Sequence, residues 1–159
     1  MRQAYLTGLQ LAVRASVAAM VALGLAQLLG LPHPVFAFIA AVIVTDLSPA
    51  LSRQLGSRRI AATIIGAICG AVLSPYLSAE LGGIALGVAI AILVSQVARA
   101  RDAAKMAAYI CGLILLEQRD DPWHYGLLRL IETILGVAVA WGISYVPKLF
   151  RTDPPPPTS

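Results

Sequence analysis

Runs of apolar residues alternate along this chain with short breaks that carry charges, prolines or glycines. A helix needs about 20 residues to cross the hydrocarbon core of a bilayer. The apolar runs occupy six segments, at residues 5–30, 34–47, 59–79, 81–98, 104–118 and 123–147. This pattern predicts an all-α integral membrane protein with six transmembrane helices in a single domain, residues 1–150. Residues 151–159 include four consecutive prolines, and we expect them to form a disordered tail.

The composition excludes an ordinary soluble protein. Of the 159 residues, 58% are hydrophobic and 13% are charged, whereas soluble domains carry about 25% charged residues. The six segments leave no room for a soluble catalytic domain, and the motifs of soluble enzymes are absent from the sequence. Cys69 and Cys111 stand in apolar runs without metal-ligand spacing. We therefore expect no catalytic residues, no metal site and no cofactor.

The cations indicate how the chain is oriented in the membrane. The first apolar run is too long for a signal peptide and contains Arg14, so we expect it to remain as the first span. With the N-terminus inside, the inner ends of the segments collect nine of the twelve cations, namely Arg2, Arg53, Arg58, Arg59, Arg99, Arg101, Lys105, Lys148 and Arg151. The outer connections hold only Arg119, which satisfies the positive-inside rule. Both termini are predicted to be cytoplasmic, and the scattered cations do not favour a nucleic-acid partner.

An internal repeat relates the two halves of the chain. The pattern R-x-x-x-T-x-x-G runs from Arg59 to Gly66 and recurs seventy residues later from Arg129 to Gly136. The second and third segments thus match the fifth and sixth, giving repeats at about 5–79 and 81–147. Since three spans are an odd number, the two repeats must be inverted relative to each other. Inverted repeats are typical of transporters, whose sites lie near the membrane midplane and are indicated by matching short segments, here the second and fifth. Misplaced segment boundaries or chance similarity are the alternatives.

Charges inside the membrane are the first candidates for function, because each is costly to bury there. Arg14 and Glu132 each lie nine residues into a span, about 14 Å deep at 1.5 Å per residue. We expect them to meet near the midplane, where Arg14 attracts an anionic substrate and Glu132 balances it or carries a coupled proton. The alternative is a purely structural pair, either of these two or of Arg129 with Glu132 at i, i+3.

Further candidates follow from their positions in the segments. Arg129 is a second candidate anion ligand, whereas Arg59 is expected to be an interfacial anchor. Thr63 and Thr133 are candidates for substrate contact or helix packing. Asp46 and Glu117 end the two short segments and are candidate proton relays, unless they are only solvated helix ends. Side chains expected to line a path for an aromatic ligand are Phe36, Phe38 and Tyr109, whereas Trp123, Tyr125, Trp141 and Tyr145 are typical of an interface belt.

Two stretches of this sequence carry a resemblance to a known family. His33-Pro34-Val35-Phe36-Ala37 through Val44-Thr45-Asp46 is followed by Gly56-Ser57-Arg58-Arg59-Ile60-Ala61-Ala62-Thr63-Ile64-Ile65-Gly66-Ala67-Ile68-Cys69-Gly70. This resembles the fusaric acid resistance (FUSC) and aromatic acid exporter family, over roughly residues 10–145. That family pairs a Pro-aromatic-Trp-Ala helix entry with a later R-x-x-G-T-x-x-G-x-x-x-G helix. The chain departs from this pattern at Phe36, where Trp is frequent, and at Ala62, where Gly is usual.

The resemblance implies a function for the predicted bundle. It implies proton-coupled efflux of aromatic carboxylates or other small organic anions across the bacterial inner membrane. Larger members carry a second membrane unit or a cytoplasmic domain, so a homodimer or higher homo-oligomer is expected for this chain. Similar six-helix domains in plant malate channels make a passive anion channel the first alternative. A membrane subunit that scaffolds a larger complex without transporting anything is the second.

Overall fold

The computed structural model describes residues 2–77, 80–117 and 121–146, with the side chains of the first helix described from residue 5. The helices are α1 (Arg2–Leu28), α2 (Val35–Val44), α3 (Pro49–Leu73), α4 (Leu81–Val97), α5 (Ala104–Glu117) and α6 (Pro122–Ser144), with a short 3₁₀ turn at Arg101–Ala103. The described residues contain no strand. The prediction of an all-helical protein is confirmed, while the predicted tail at 151–159 lies outside the described residues.

Within the described residues, three helices are long and apolar enough to cross a membrane, at Tyr5–Leu28, Pro49–Leu73 and Pro122–Ser144. The helices α2, α4 and α5 have only 10, 17 and 14 residues. These lengths and compositions support a multi-pass membrane protein. The crossing of all six helices and the orientation of the chain stay predictions.

The third helix begins ten residues before the apolar segment that predicted it. Pro49 occupies its first turn after the extended Ser48, and proline is well suited to that position because it has no N–H to leave unpaired. The helix therefore includes the polar stretch before residue 59. At the start of α6, Pro122 has the same role, and the Asp121 carboxylate accepts the backbone N–H of His124 at 3.1 Å. Hydropathy marks the apolar part of a helix, whereas proline and capping residues mark its beginning.

Helices α3 and α6 form the centre of the bundle. They run antiparallel, because Gly56 near the start of α3 lies against Val137 and Trp141 while Gly126 near the start of α6 lies against Ala67. Helix α5 packs on α3, and α2 packs on α6. Helix α1 covers α2 and α6, while α4 covers α5 and α3. The interior is built mostly of small residues, which allow helices to approach closely where lipid tails remove the hydrophobic driving force.

Close approach is tightest at two glycines of the central pair. A Cβ atom added to Gly66 would lie 2.5 Å from the carbonyl oxygen of Ala107 and 2.8 Å from Cβ of Ile110. A Cβ atom added to Gly136 would overlap the carbonyl oxygen of Ala37. Only glycine leaves room for the short helices α2 and α5 at these two positions.

Candidate functional site

A small cavity lies where α2, α3, α5 and α6 meet, and we call it the central cavity. Its lining residues are Phe36, Arg59, Thr63, Tyr109, Ile110, Leu113, Tyr125, Arg129 and Thr133. Its volume is about 10 Å³, which is roughly the space that the centre of one water molecule requires. The cavity therefore has room for about one water molecule, and a larger ligand requires its lining residues to move apart.

The two threonines of the repeated motif meet at this cavity. Thr63 Oγ1 lies 3.3 Å from Thr133 Oγ1, and both residues are buried. The Thr63 hydroxyl also donates to the carbonyl oxygen of Arg59 at 3.0 Å. A hydroxyl has one proton, so Thr133 is the donor in the threonine pair. This hydrogen bond joins the two central helices next to the guanidinium groups.

Arg59 is the most deeply buried cation of the cavity, with 2% of its surface exposed. Its guanidinium carbon lies 5.5 Å from the centre of the Tyr109 ring, and Nη1 lies 3.6 Å from Sδ of Met106. Within the described part of the chain, no carboxylate lies within salt-bridge distance of Arg59, and its buried Nε has no hydrogen-bond partner. The structure thus places this residue inside the bundle, and the expectation of an interfacial anchor is wrong.

Arg129 is also buried, but it has more partners than Arg59. Its guanidinium donates to the hydroxyl of Tyr125 and lies over the rings of Phe36 and Tyr125, 2.9 Å and 4.3 Å from their centres. Nη1 is 3.5 Å from Oε2 of Glu132. Its Nε is buried and has no partner among the residues that the structure describes, as in Arg59. Aromatic faces attract cations through the ring quadrupole, so this site holds Arg129 by ring contacts and one carboxylate together.

Glu132 is fully buried and links α6 to the connection between α1 and α2. Its Oε1 accepts the backbone N–H of His33 at 2.9 Å, while Oε2 faces Arg129. The predicted i, i+3 pair of Arg129 with Glu132 is therefore present. Together with Arg59, the three charged side chains leave one positive charge in excess.

Arg14 does not meet Glu132. Its guanidinium donates instead to the backbone carbonyl of Val146, just beyond the end of α6. Glu132 lies twelve residues before that end, which is about 18 Å along the helix axis. The contact ties α1 to the chain that follows α6. The expected meeting of these two residues at the midplane is wrong, and the structure gives Arg14 a contact that stabilises the bundle.

Three other candidates also lie away from the cavity lining. Phe38 is exposed and faces the outer surface beside Ala12 and Ser16 of α1. Asp46 follows α2, where its carboxylate accepts the backbone N–H of Ser48 at 2.9 Å. Glu117 is exposed at the end of α5. Of the side chains proposed from sequence, the cavity thus gathers Phe36, Thr63, Tyr109, Arg129 and Thr133, with Glu132 beside it.

Sequence reasoning missed Tyr125 and undervalued Arg59. Tyr125 is 3% exposed, so its assignment to an interface belt is wrong. It stands four residues before Arg129, and side chains at i and i+4 lie on one helix face, so a signal was available. For Arg59 the signal was the repeat, since it occupies the position that matches Arg129.

His33 lies in the connection between α1 and α2, at the edge of this cluster. Its ring contacts those of Tyr125 and Phe36 edge-on, with centres 5.7 Å and 6.4 Å apart. Burial lowers the pKa of His33 below 6.5, the positive charge of Arg129 lowers it further, and Glu117 partly opposes both effects. A neutral imidazole is therefore favoured beside Arg129.

Comparisons with known proteins agree with the resemblance seen in the sequence. No curated protein and no solved structure matches the chain. A family model described as fusaric acid resistance protein-like matches residues 19–143. This range contains α2 to α5 whole, the last ten residues of α1 and all but the last residue of α6, and it includes every residue that lines the central cavity. The match, which covers more than half of the sequence, indicates a membrane transport protein: the chain belongs to the fusaric acid resistance protein-like family.

Proposed function

We propose that this protein transports small organic anions, aromatic carboxylates among them, through the central cavity. The observation that carries the proposal is Arg59, a cation that is 2% exposed and has no carboxylate partner within the described residues. An unpaired buried charge costs several kcal/mol of stability. An anion that enters the cavity offsets this cost, so the buried charge favours anion binding.

The other lining groups suit a planar anion. A guanidinium offers a fork of N–H donors that matches a carboxylate, and the Nε atoms of Arg59 and Arg129 are buried and unpartnered. The threonine pair adds hydroxyl groups, while the rings of Phe36 and Tyr109 provide apolar walls. The two arginines and the two threonines are buried, and a charged contact with buried groups is stronger than one at a surface.

Inverted repeats remain part of the proposal, and several contacts support them. Thr63 contacts Thr133, its own match seventy positions later. The pair Gly66 and Ala107 corresponds to Gly136 and Ala37 at the same spacing, with positions in the opposite order. Such reciprocal contacts are expected around a two-fold axis between the halves. They favour an exposure of the site to each side of the membrane in turn, as in other repeat transporters.

Proton coupling is proposed for Glu132. When it is ionised it neutralises Arg129, and when it is protonated the guanidinium is free for an anion. The charge that the site presents to an anion therefore depends on the protonation of Glu132, and this dependence is the proposed link between proton movement and efflux. The predicted homo-oligomer and the bacterial inner membrane remain parts of the same proposal.

Uptake of radiolabelled benzoate into proteoliposomes tests this function. The Arg59→Gln variant should lose transport by more than about tenfold, because removing one partner of a buried charge contact costs about 2–5 kcal/mol. The Arg59→Lys variant should be impaired, since an ammonium group lacks the planar fork. Arg53→Gln is the matched control, because Arg53 is an exposed cation on the same helix that contacts Tyr145 instead.

The outcomes separate the alternatives. Full benzoate transport by Arg59→Gln would overturn the role of the cavity. Benzoate flux that follows membrane voltage and ignores a pH gradient would replace the coupled exporter by a channel. Wild-type protein that elutes as a single species from a sizing column could also show no flux for any organic anion tested. That result would replace transport by the scaffolding-subunit hypothesis.

A further inference from the structure

A second charged region lies away from the central cavity, at the end of the bundle where α3, α4 and the 3₁₀ turn come together. An open cleft of about 360 Å³ is found there, and we call it the basic cleft. Its charged lining residues are Arg58, Arg99, Arg101 and Asp102. Arg58 is paired with Asp102 at 2.8 Å. Among the described residues, no carboxylate lies within salt-bridge distance of Arg99 or Arg101, so the cleft carries two positive charges in excess.

The backbone at Arg99 has an unusual conformation for an arginine. Its φ is +56°, in the left-handed region. The backbone N–H of Ala100 donates to the carbonyl oxygen of Ser95 at 2.9 Å, and that of Arg99 donates to the carbonyl oxygen of Gln96 at 3.1 Å. This is the pattern of a Schellman motif at the end of α4. Glycine is the usual residue at this position, because an L side chain there costs free energy. The side chain of Arg99 is thus present at a backbone cost, and it faces the cleft.

An apolar groove continues from the basic cleft along α3. Ser57 and Ala61 line the cleft, and Ile64 and Ile68 line the groove. Positions spaced in this way form one stripe along a helix. The groove lies between α3 and the first turns of α6, with a volume of about 200 Å³, and its other lining residues include Ala67, Trp123, Leu127 and Leu130. From Arg58 to Ile68 the stripe is about 15 Å long, which equals the hydrocarbon thickness of one leaflet.

We propose that this surface binds an anionic glycerophospholipid. Its phosphate lies in the basic cleft against Arg58, Arg99 and Arg101, and one acyl chain lies along Ile64 and Ile68 in the groove. Basic pockets between membrane helices are suited to acidic headgroups, and each cation adds to the attraction. The charge of the cleft and the apolar length of the groove together suit a ligand with a phosphate and a long hydrocarbon chain. This lipid binding is independent of the transport proposed above, and it is measured without a transport assay.

The test measures retained lipid on the full chain, purified in a neutral detergent and examined by native mass spectrometry. Wild-type protein is offered equal amounts of phosphatidylglycerol and phosphatidylcholine, and we expect it to retain phosphatidylglycerol preferentially. The Arg99→Gly variant should lose about fivefold of this preference, and Arg99→Gly with Arg101→Gln about thirtyfold. Glycine suits the left-handed position, so Arg99→Gly should fold at least as well as the wild type. Arg53→Gln removes an exposed cation from α3 outside the cleft and should retain the full preference.

Two further arms identify the ligand. Phosphatidylglycerol with six-carbon chains should be retained less than the long-chain lipid, because it fills less of the groove. Equal retention of both chain lengths would overturn the groove as part of the site. Displacement of the lipid by millimolar inorganic phosphate would indicate a free-phosphate site and would overturn the proposal. An equal preference for phosphatidylglycerol in the Arg99→Gly and Arg53→Gln variants would also overturn the proposal.

Discussion

The hydroxyl oxygens of Thr63 and Thr133 lie 3.3 Å apart, and these two residues are seventy positions apart in the sequence. Residues that match in two repeats contact each other only where the symmetry axis passes between them. The pair therefore locates the axis that the repeat proposal requires. The guanidinium groups of Arg59 and Arg129 stand one helical turn before their respective threonines, close to this axis.

The first prediction concerns the glycines that follow these threonines. Gly66→Ala should destabilise the protein by about 1–3 kcal/mol, the usual cost of forcing extra volume into a packed interior, since its Cβ would lie 2.5 Å from a backbone oxygen of Ala107. Gly136→Ala should have a similar effect, because it faces Ala37 in the matching way. The stability of both variants is measured by thermal unfolding in detergent, with the loss of the monodisperse species as the signal.

Gly24→Ala is the matched control for these variants. Gly24 lies within α1, and an added Cβ meets nothing within 4 Å. Since alanine favours a helix by about 1 kcal/mol over glycine, this variant should be as stable as the wild type or more stable. Equal stability of Gly24→Ala and Gly66→Ala would contradict the close packing of α3 on α5.

The second prediction separates stability from function at Arg59. Arg59→Met should raise the unfolding temperature, because replacing buried ions by apolar residues of similar volume stabilises proteins by about 1–4 kcal/mol. The same variant should lose benzoate transport, since the excess positive charge of the cavity is gone. Transport and thermal unfolding are measured on one preparation, so a misfolded protein is recognised at once. A variant that is less stable than the wild type would show that Arg59 has a structural partner.

Sequence patterns predicted the helices better than the site. Each of the six apolar segments overlaps one helix of the structure, because burial in lipid or protein demands apolar residues along most of a helix. The pattern could not show which way each side chain faces. Phe36 and Phe38 are two positions apart on α2, which turns them about 200° from each other, so only one can face the cavity.

The depth of Arg14 along its helix was equally insufficient to predict which group it contacts. Counting residues gives the height of a side chain along its helix and says nothing of the neighbouring helix. Helix α1 lies at the edge of the bundle against α2 and α6, and there Arg14 reaches the carbonyl of Val146. The repeated motif was more informative, since its two arginines and two threonines, Arg59, Arg129, Thr63 and Thr133, all line the central cavity.

The third prediction concerns coupling through Glu132. Glu132→Gln keeps the shape of the side chain and can still accept the N–H of His33, but it has no titratable proton. Transport should persist and lose its dependence on the pH gradient, because the coupled proton has no site. Benzoate uptake with and without an imposed gradient measures this. The exposed Glu117 provides the control, and Glu117→Gln should respond to the gradient as the wild type does. A gradient response retained by Glu132→Gln would assign the proton to another group.

The fourth prediction concerns stability at low pH. Because the folded protein lowers the pKa of His33 below 6.5, through burial first and Arg129 second, the unfolded chain binds a proton more readily than the folded one. Stability should therefore fall as the pH decreases below about 6.5, and this loss should be complete below the folded pKa. His33→Gln should reduce the loss between pH 7.5 and 5, as measured by unfolding temperature. His124→Gln, at an exposed position on α6, should not change it. An identical pH dependence in all three proteins would show that His33 does not titrate on unfolding.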